Sequence, residues 1–387
     1  MVDARVLHLE MILTTVPAPG RLLSLFSLAA LLGALGCVDD GAGGGLYVFD
    51  DTSHSVLVWK DADQVYQAAR EDKDAPAPVR TIKGAVLKDI SLGWGGMALD
   101  EGRNRLYLVS ENGRVAVIRS PSTQNGAISG TGQITTFNLG ASGDRFGSGS
   151  VFGQASVDTE KDILYVQENA RNGDEARIWR VPKASAQPNG ATVPKDRALR
   201  TGNDRGAGGV AAGQGHRFYA LFAGGDNFED SHQEHITGAR LREGTEAGFP
   251  ASPAHNRPIN TLVGPNTGLP GGFRHGSLAY DGKHQTLYAL TLAGGDAAKP
   301  VVQVFGAGQF HGHHDQAPSQ TLAGIPEDLR IIIHSRHSDW MLGAGRAAAS
   351  GRGRDTLYLW KDPAAGGACL KARMPETRDI RGMAVAH

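Results

Sequence analysis

The chain has 387 residues, 40% hydrophobic and 20% charged, with 39 Lys and Arg against 40 Asp and Glu. A formal net charge of −1 excludes a polybasic nucleic-acid binder, because binding by counterion release needs clustered positive charge. Glycine (53) and proline (18) are abundant but stay below the level of low-complexity disorder, and the length allows a large core.

Leu22 to Gly36 is an uncharged apolar run, preceded by Arg21 and ending at Cys37. It is shorter than the roughly 20 residues that span a bilayer. A basic flank, a short apolar stretch and small residues before a cleavage point are the parts of an export signal. Ala34-Leu35-Gly36-Cys37 resembles the lipobox of bacterial lipoproteins, which implies cleavage before Cys37 and lipid attachment to its sulfur. Plain secretory cleavage and a retained anchor are the two other readings. Asp3 and Glu10 suit a signal poorly, which makes Met11 an alternative start. The expectation is an export signal over 1–36, a glycine-rich tether over 37–45 and a folded part over 46–387. The protein would then sit at the cell envelope, periplasmic or surface-exposed, touching the membrane only through its lipid. With Cys37 lipidated, Cys369 has no cysteine left to pair with and reads as a packed side chain.

After residue 45 no amphipathic helix of convincing length is predicted. A Leu-Tyr pair inside a β-like run recurs instead, at Tyr47, Tyr107, Tyr165, Tyr288 and Tyr358, with Phe218-Tyr219 as a variant. The tyrosines lie 60, 58, 54, 69 and 70 residues apart, and a period of this size marks a repeat architecture. Asp100, Asp158 and Asp281 each stand six residues before the leucine. A small apolar run precedes each of these aspartates, as in Gly96-Met-Ala-Leu99. A second apolar run follows the Leu-Tyr strand, as in Val56-Leu-Val-Trp59 and Ile178-Trp-Arg-Val181. Pro-x-x-Thr-(Ile/Leu)-x-Gly closes the unit at Pro78, Pro258 and Pro318. Each unit thus reads as four short antiparallel strands, with proline confined to an outer edge where a missing N–H is harmless. The first Leu-Tyr strand lacks an inner strand before it, and the chain ends on an orphan inner strand, Arg381 to Ala386. The predicted fold is therefore all-β: a six-bladed β-propeller of four-stranded antiparallel blades, closed by the C-terminal strand pairing into the first blade.

The order apolar-Asp, Leu-Tyr-Val, Val-x-Val-Trp, Thr-Ile-x-Gly resembles the NHL-type six-bladed β-propellers, including exported bacterial proteins with this repeat. The resemblance spans about residues 46 to 387 and implies fold more than function, because such propellers include binding platforms, lactonase-like hydrolases and lyases. Blade four departs most, with Ala212 in place of the aspartate. In blade six, Arg330 to Gly345 is longer than the repeat requires.

In such a ring, ligand sites form where loops converge on the channel. Loops leading into the inner strands would bring Trp94, Arg274, His275, Arg336, His337, Trp340 and Arg381 to one mouth as ligand-binding residues. The second-to-third-strand loops would add Glu111, Glu168 and Asp226, whose oxygens would suit calcium and echo the acidic ligands of gluconolactonase-type propellers. Paired Arg and His could capture an anion or work as an acid or base; the alternative is ordinary solvated loop residues. The three repeated aspartates fit turn residues that bond their own backbone. Phe310-His-Gly-His-His-Asp315 has metal-like composition but falls in an outer loop. No Gly-x-Ser-x-Gly, His-Glu-x-x-His, Gly-x-x-x-x-Gly-Lys or Cys-x-x-Cys motif occurs. The leading expectation is a non-catalytic propeller that binds a protein or glycan and requires no cofactor. A metal-dependent lactonase-like hydrolase and an envelope scaffold are the alternatives.

Overall fold

The computed structural model describes residues 45–140, 151–169, 177–194, 198–200, 207–222, 240–245, 260–270, 275–292, 299–310, 313–335, 339–345 and 356–386. Among them no helix is long and apolar enough to cross a membrane. Strands β1 (Leu46–Asp50), β2 (Ser55–Trp59) and β3 (Arg80–Lys83) open the fold. The next sheet holds β4 (Leu92–Asp100), β5 (Arg105–Ser110), β6 (Arg114–Arg119) and, after a two-residue β7 (Gly126–Ala127), β8 (Ile134–Leu139). Then come β9 (Val151–Asp158), β10 (Ile163–Asn169), β11 (Arg177–Pro182), β12 (Ala191–Val193) and β13 (Ala198–Arg200). A fourth group is β14 (Ala207–Ala212), β15 (Arg217–Phe222), β16 (Arg240–Thr245) and β17 (Asn260–Val263). A fifth is β18 (His275–Asp281), β19 (Thr286–Leu292), β20 (Pro300–Gly306), β21 (His313–His314) and β22 (Gln320–Thr321). The last strands are β23 (Leu329–His334), β24 (Trp340–Gly345), β25 (Thr356–Lys361), β26 (Cys369–Arg373) and β27 (Ile380–Val385).

These strands build a β-propeller. Each group forms an antiparallel meander, and β27 pairs antiparallel with β1, setting Leu46 opposite Val385 and Val48 opposite Met383. The inner strands neighbour one another in the order β27, β4, β9, β14, β18, β23 and back to β27. Hydrophobic side chains gather between neighbouring sheets. Tyr47, Val58, Leu106 and Leu108 meet in one such layer, and Tyr107, Val117, Leu164 and Trp179 in the next. The repeated tyrosines and tryptophans are the largest fully buried side chains, among them Tyr107, Tyr165, Tyr219, Tyr288, Trp59, Trp179 and Trp360. Each is worth roughly 1.5–3 kcal/mol or more of burial, which is why the Leu-Tyr period was the visible signature.

Three features depart from the sequence reading. First, the sheets are not uniformly four-stranded. β7 joins the outer edge of β3, β12 that of β8 and β21 that of β17, each in parallel. Every one of these short strands leaves the third-to-fourth connection of one sheet and clasps the exposed edge of the sheet before it, satisfying ladder groups that would otherwise face water or a foreign strand. Part of the His-rich segment is used this way, as β21. Second, a helix, α1 (Ala62–Arg70), lies between β2 and β3. The Asp61 carboxylate caps it by accepting from the Gln64 N–H at 2.7 Å, Asp63 and Arg70 complement its dipole, and Ala62 and Val65 are buried. Third, the last sheet is shifted in phase. Its inner strand is the apolar Leu329–His334, and Leu357-Tyr358 lies on the third strand, not the second. The continuous run Ile331-Ile332-Ile333 suits a strand with neighbours on both faces. Trp340 therefore opens the second strand and stands at the opposite end of the channel from the mouth expected for it.

Candidate functional site

The inner strands run side by side in one direction, so the channel has a leading end, where they begin, and a trailing end, where they finish. At the leading end Arg381, second residue of β27, is the hub. Its Nε donates to Asp379 Oδ2 at 3.1 Å, its Nη1 reaches Glu111 Oε1 at 3.5 Å, and its guanidinium lies 5.5 Å from the centre of the Trp94 ring. Glu111 is fixed from below, its backbone N–H donating to the Ser91 carbonyl at 2.9 Å. Asp51 joins the group: its Oδ1 accepts from the Leu92 N–H at 3.2 Å, burial pushes its pKa up, and the nearby Arg381 charge opposes that rise. One guanidinium thus stands among Asp51, Glu111 and Asp379.

Trp94 owes its position to an irregularity in β4. Leu92 faces Ser110 and Met97 faces Leu108, so five steps along β4 match two along β5. The four residues Gly93-Trp94-Gly95-Gly96 stand against Val109 alone and bulge out, as bulges at functional rims do. Gly95 holds φ +73°, a conformation that L side chains rarely adopt, and a Cβ on Gly93 would strike the Phe152 carbonyl.

Beneath this mouth the axis is closed by one side chain. Gln154 of β9 donates through Nε2 to the Leu278 carbonyl at 2.5 Å and, more loosely, to the Ile332 carbonyl at 3.3 Å. Its Oε1 accepts from the Leu278 N–H at 2.9 Å and lies 3.3 Å from Ser277 Oγ. Ser277 Oγ donates to the Ile332 carbonyl at 2.9 Å and lies 3.1 Å from the Ile332 N–H. To reach β18 and β23, Gln154 crosses β14 at Gly209, where a Cβ would collide with its Oε1 and come within 2.6 Å of the Leu278 nitrogen.

At the trailing end lies a cavity of about 300 Å³, walled by the last residues of inner strands from every sheet, among them Ala98, Val157, Ala212, Ala279, His334 and Val385. The repeated aspartates ring this end as turn residues. Asp100 Oδ1 accepts from the Arg103 N–H, Asp158 Oδ1 from Glu160 and Lys161, and Asp281 Oδ1 from Lys283 and His284, all at 2.9–3.2 Å. His334 stacks on Tyr288, with ring centres 5.7 Å apart, and its Nδ1 lies 2.7 Å from the Ser335 carbonyl. Burial pushes the His334 pKa below the ordinary imidazole range.

Of the residues read from the sequence, the structure unites Trp94, Glu111 and Arg381. Trp340 is a core residue, 7% exposed, with Tyr66 of α1 edge-on at 5.0 Å and the Lys361 ammonium 5.2 Å from its ring centre. Glu168 is buried and accepts from Trp179 Nε1 at 2.8 Å. Arg274, Arg336, His337, Asp226 and Cys37 lie outside the described residues, and of His275 only the strand position at the start of β18 is described. Among the described residues, neither Glu111 nor Glu168 belongs to a group of three metal-ligating side chains; Asp158, Glu160 and His216 form such a group. Cys369 is half-buried, and burial pushes its thiol up to about 12, which suits packing and not nucleophilic attack. Gln154 was not singled out from the sequence. Its signal was a polar residue inside an otherwise small or apolar inner strand.

No protein-family model matches this sequence, and no curated protein matches it. Among solved structures, the chain is similar to hydrazine synthase from Kuenenia stuttgartiensis at a TM-score of 0.41 and 9% identity, over 76% of this chain and 70% of that one.

Proposed function

We propose that this protein is a non-catalytic binding propeller, held at the cell envelope by lipid on Cys37, that takes a protein or glycan ligand at its leading mouth. The observation that carries this reading is the Arg381 hub. An aromatic ring, a guanidinium and three carboxylates are drawn from separate loops to one place and held there by mutual contacts, above an axis that Gln154 closes. A partly exposed tryptophan edged by charged groups suits a sugar ring or a polar peptide segment. The same reading counts each sheet as one blade, six in all and NHL-like in pattern; the circular order of the inner strands supports that count. The hydrolase alternative needs Glu111 and Glu168 as cation ligands, whereas Glu111 is engaged by Arg381 and Glu168 by Trp179.

The test is direct binding of the purified chain to defined envelope glycan fragments and to isolated envelope proteins. Trp94→Ala and Arg381→Ala are each expected to weaken binding at least tenfold while the melting temperature holds. Equal affinity in both variants would reject the leading mouth as the site. Anchoring is tested by Cys37→Ala, which is expected to move the protein from the membrane fraction to the soluble fraction.

A further inference from the structure

At the trailing rim the turn after β9 meets the turn between β14 and β15. Asp158 has its Oδ1 fixed by the backbone N–H groups of Glu160 at 3.0 Å and Lys161 at 3.2 Å. Its Oδ2 faces His216 Nδ1 at 3.3 Å, and Glu160 Oε2 lies 3.9 Å from that same nitrogen. Ligand atoms of the three residues all fall within 4.8 Å of one another.

The equivalent turns show what is particular here. In the sheet before, the outer oxygen of Asp100 meets Arg103, three residues on, at 3.1 Å. In the sheet of β18, the outer oxygen of Asp281 meets His284, again three residues on, at 2.7 Å. In each case the basic side chain belongs to the same turn, although Arg103 Nε also lies 3.9 Å from Asp162 Oδ2 and Asp281 Oδ2 also lies 3.7 Å from His334 Nε2 of the next sheet. What the Asp158 turn adds is convergence: among the described residues it alone brings three metal-ligating atoms, two carboxylate oxygens and an imidazole nitrogen from the neighbouring sheet, within 4.8 Å of one another. A dication placed between the three atoms would take one ligand atom from each residue.

From these distances we propose that Asp158, Glu160 and His216 form a binding site for a divalent transition-metal ion of the zinc class. Metal–ligand bonds of about 2.0–2.2 Å in tetrahedral geometry set neighbouring ligand atoms roughly 3.3–3.5 Å apart. The Asp158–His216 separation already has that value, and Glu160, whose side chain is 56% exposed, needs only a small swing. One imidazole with two carboxylates is a borderline donor set that suits zinc better than calcium. The backbone bonds to Asp158 Oδ1 orient the ligating oxygen, as outer contacts do in metal sites. Three protein ligands leave a fourth position to solvent. The ion would clip the sheet of β9 to the sheet of β14 at the channel rim, beside the cavity that Thr159 and Ala212 help to wall.

The test is calorimetric titration of zinc chloride into the metal-stripped full chain, with melting curves alongside. The wild type is expected to take up one tight equivalent and to melt at a higher temperature with zinc than without it. Glu160→Gln and His216→Asn are each expected to weaken that equivalent by about 10–100-fold and to abolish the zinc-dependent rise in melting temperature. Asparagine is chosen because His216 has φ +62°, a conformation that Asn tolerates. Should His216→Asn fail to fold, the exposed Glu160→Gln decides alone. A double variant, His313→Ala with His314→Ala, is expected to leave the tight equivalent intact. Absence of tight binding in the wild type, unchanged binding in Glu160→Gln, or loss of the tight equivalent in the His313/His314 variant would each overturn the proposal.

Discussion

The two ends of the axis are built from the same repeat and differ in how they handle charge. At the leading end, charged side chains from separate loops answer one another, with Arg381 against Asp379 and Glu111 and over Trp94. At the trailing end, each repeated aspartate first folds its own turn and turns its outer oxygen to a basic side chain: Arg103, His216 or His284. The trailing end is regular because the aspartate is part of the turn itself. A repeat protein can therefore specialise one rim while keeping the other as scaffold.

The comparison breaks most forcefully at the plug. Gln154→Ala leaves the Leu278 carbonyl and N–H without their side-chain partner in a buried setting, while the Ile332 carbonyl keeps Ser277 Oγ. At about 1–3 kcal/mol for an unmet group, the expected loss is roughly 3 kcal/mol by urea denaturation. A loss under about 1 kcal/mol would mean that this side chain does not hold the two ends apart. Gly209→Ala attacks the same crossing by overpacking and is expected to cost about 1–3 kcal/mol.

A smaller effect separates the ends by pH. His334 has a folded pKa below that of the unfolded chain, because burial disfavours its charge. The stability it preserves is complete above the unfolded value of about 6.5 and is lost as pH falls from there toward the folded pKa. The slope in that window can reach about 1.4 kcal/mol per pH unit. His334→Phe, which keeps a ring against Tyr288, is expected to flatten the dependence of melting temperature on pH below 6.5. An unchanged slope would place the acid sensitivity elsewhere.

The smallest expected effect lies in the Lys283–Asp339 pair, at 2.7 Å and partly exposed. The hydrogen bond from Lys283 holds the Asp339 carboxyl below its usual range. Its contribution is present above about pH 4 and is lost as pH falls through the lowered pKa. Solvent screening keeps it small. Asp339→Asn should therefore be nearly neutral at pH 7, and a loss above about 1 kcal/mol would show that the trailing rim relies on surface charge.

Much of the fold was legible because the repeat is written in large buried residues. The Leu-Tyr pairs, the turn aspartates and the orphan strand at Arg381–Ala386 each carry a physical cost if misplaced. The phase of the last sheet was not legible. Leu357-Tyr358 looks the same on a second or a third strand, and the run Leu329–Ile333 gives no alternation to count. That ambiguity put Trp340 at the wrong mouth, whereas the structure buries it against Tyr66. The clasping strands were also invisible, since two or three residues pairing by backbone alone leave no side-chain pattern. Glu111 lies in the turn between β5 and β6, and Arg381 is the second residue of β27. Their contact was not foreseen, because proximity between different sheets leaves no spacing in the chain.

Ring closure is tested most directly by trapping β27 on β1. Val48 and Met383 face each other across that pair, and opposite positions in antiparallel strands lie within reach of a disulfide. With Cys37 and Cys369 replaced by serine and alanine, Val48→Cys with Met383→Cys is expected to crosslink under mild oxidation within one chain, in near-quantitative yield, and to raise the melting temperature. Free thiols after oxidation, or crosslinks formed only between chains, would contradict the closed ring on which both mouths depend.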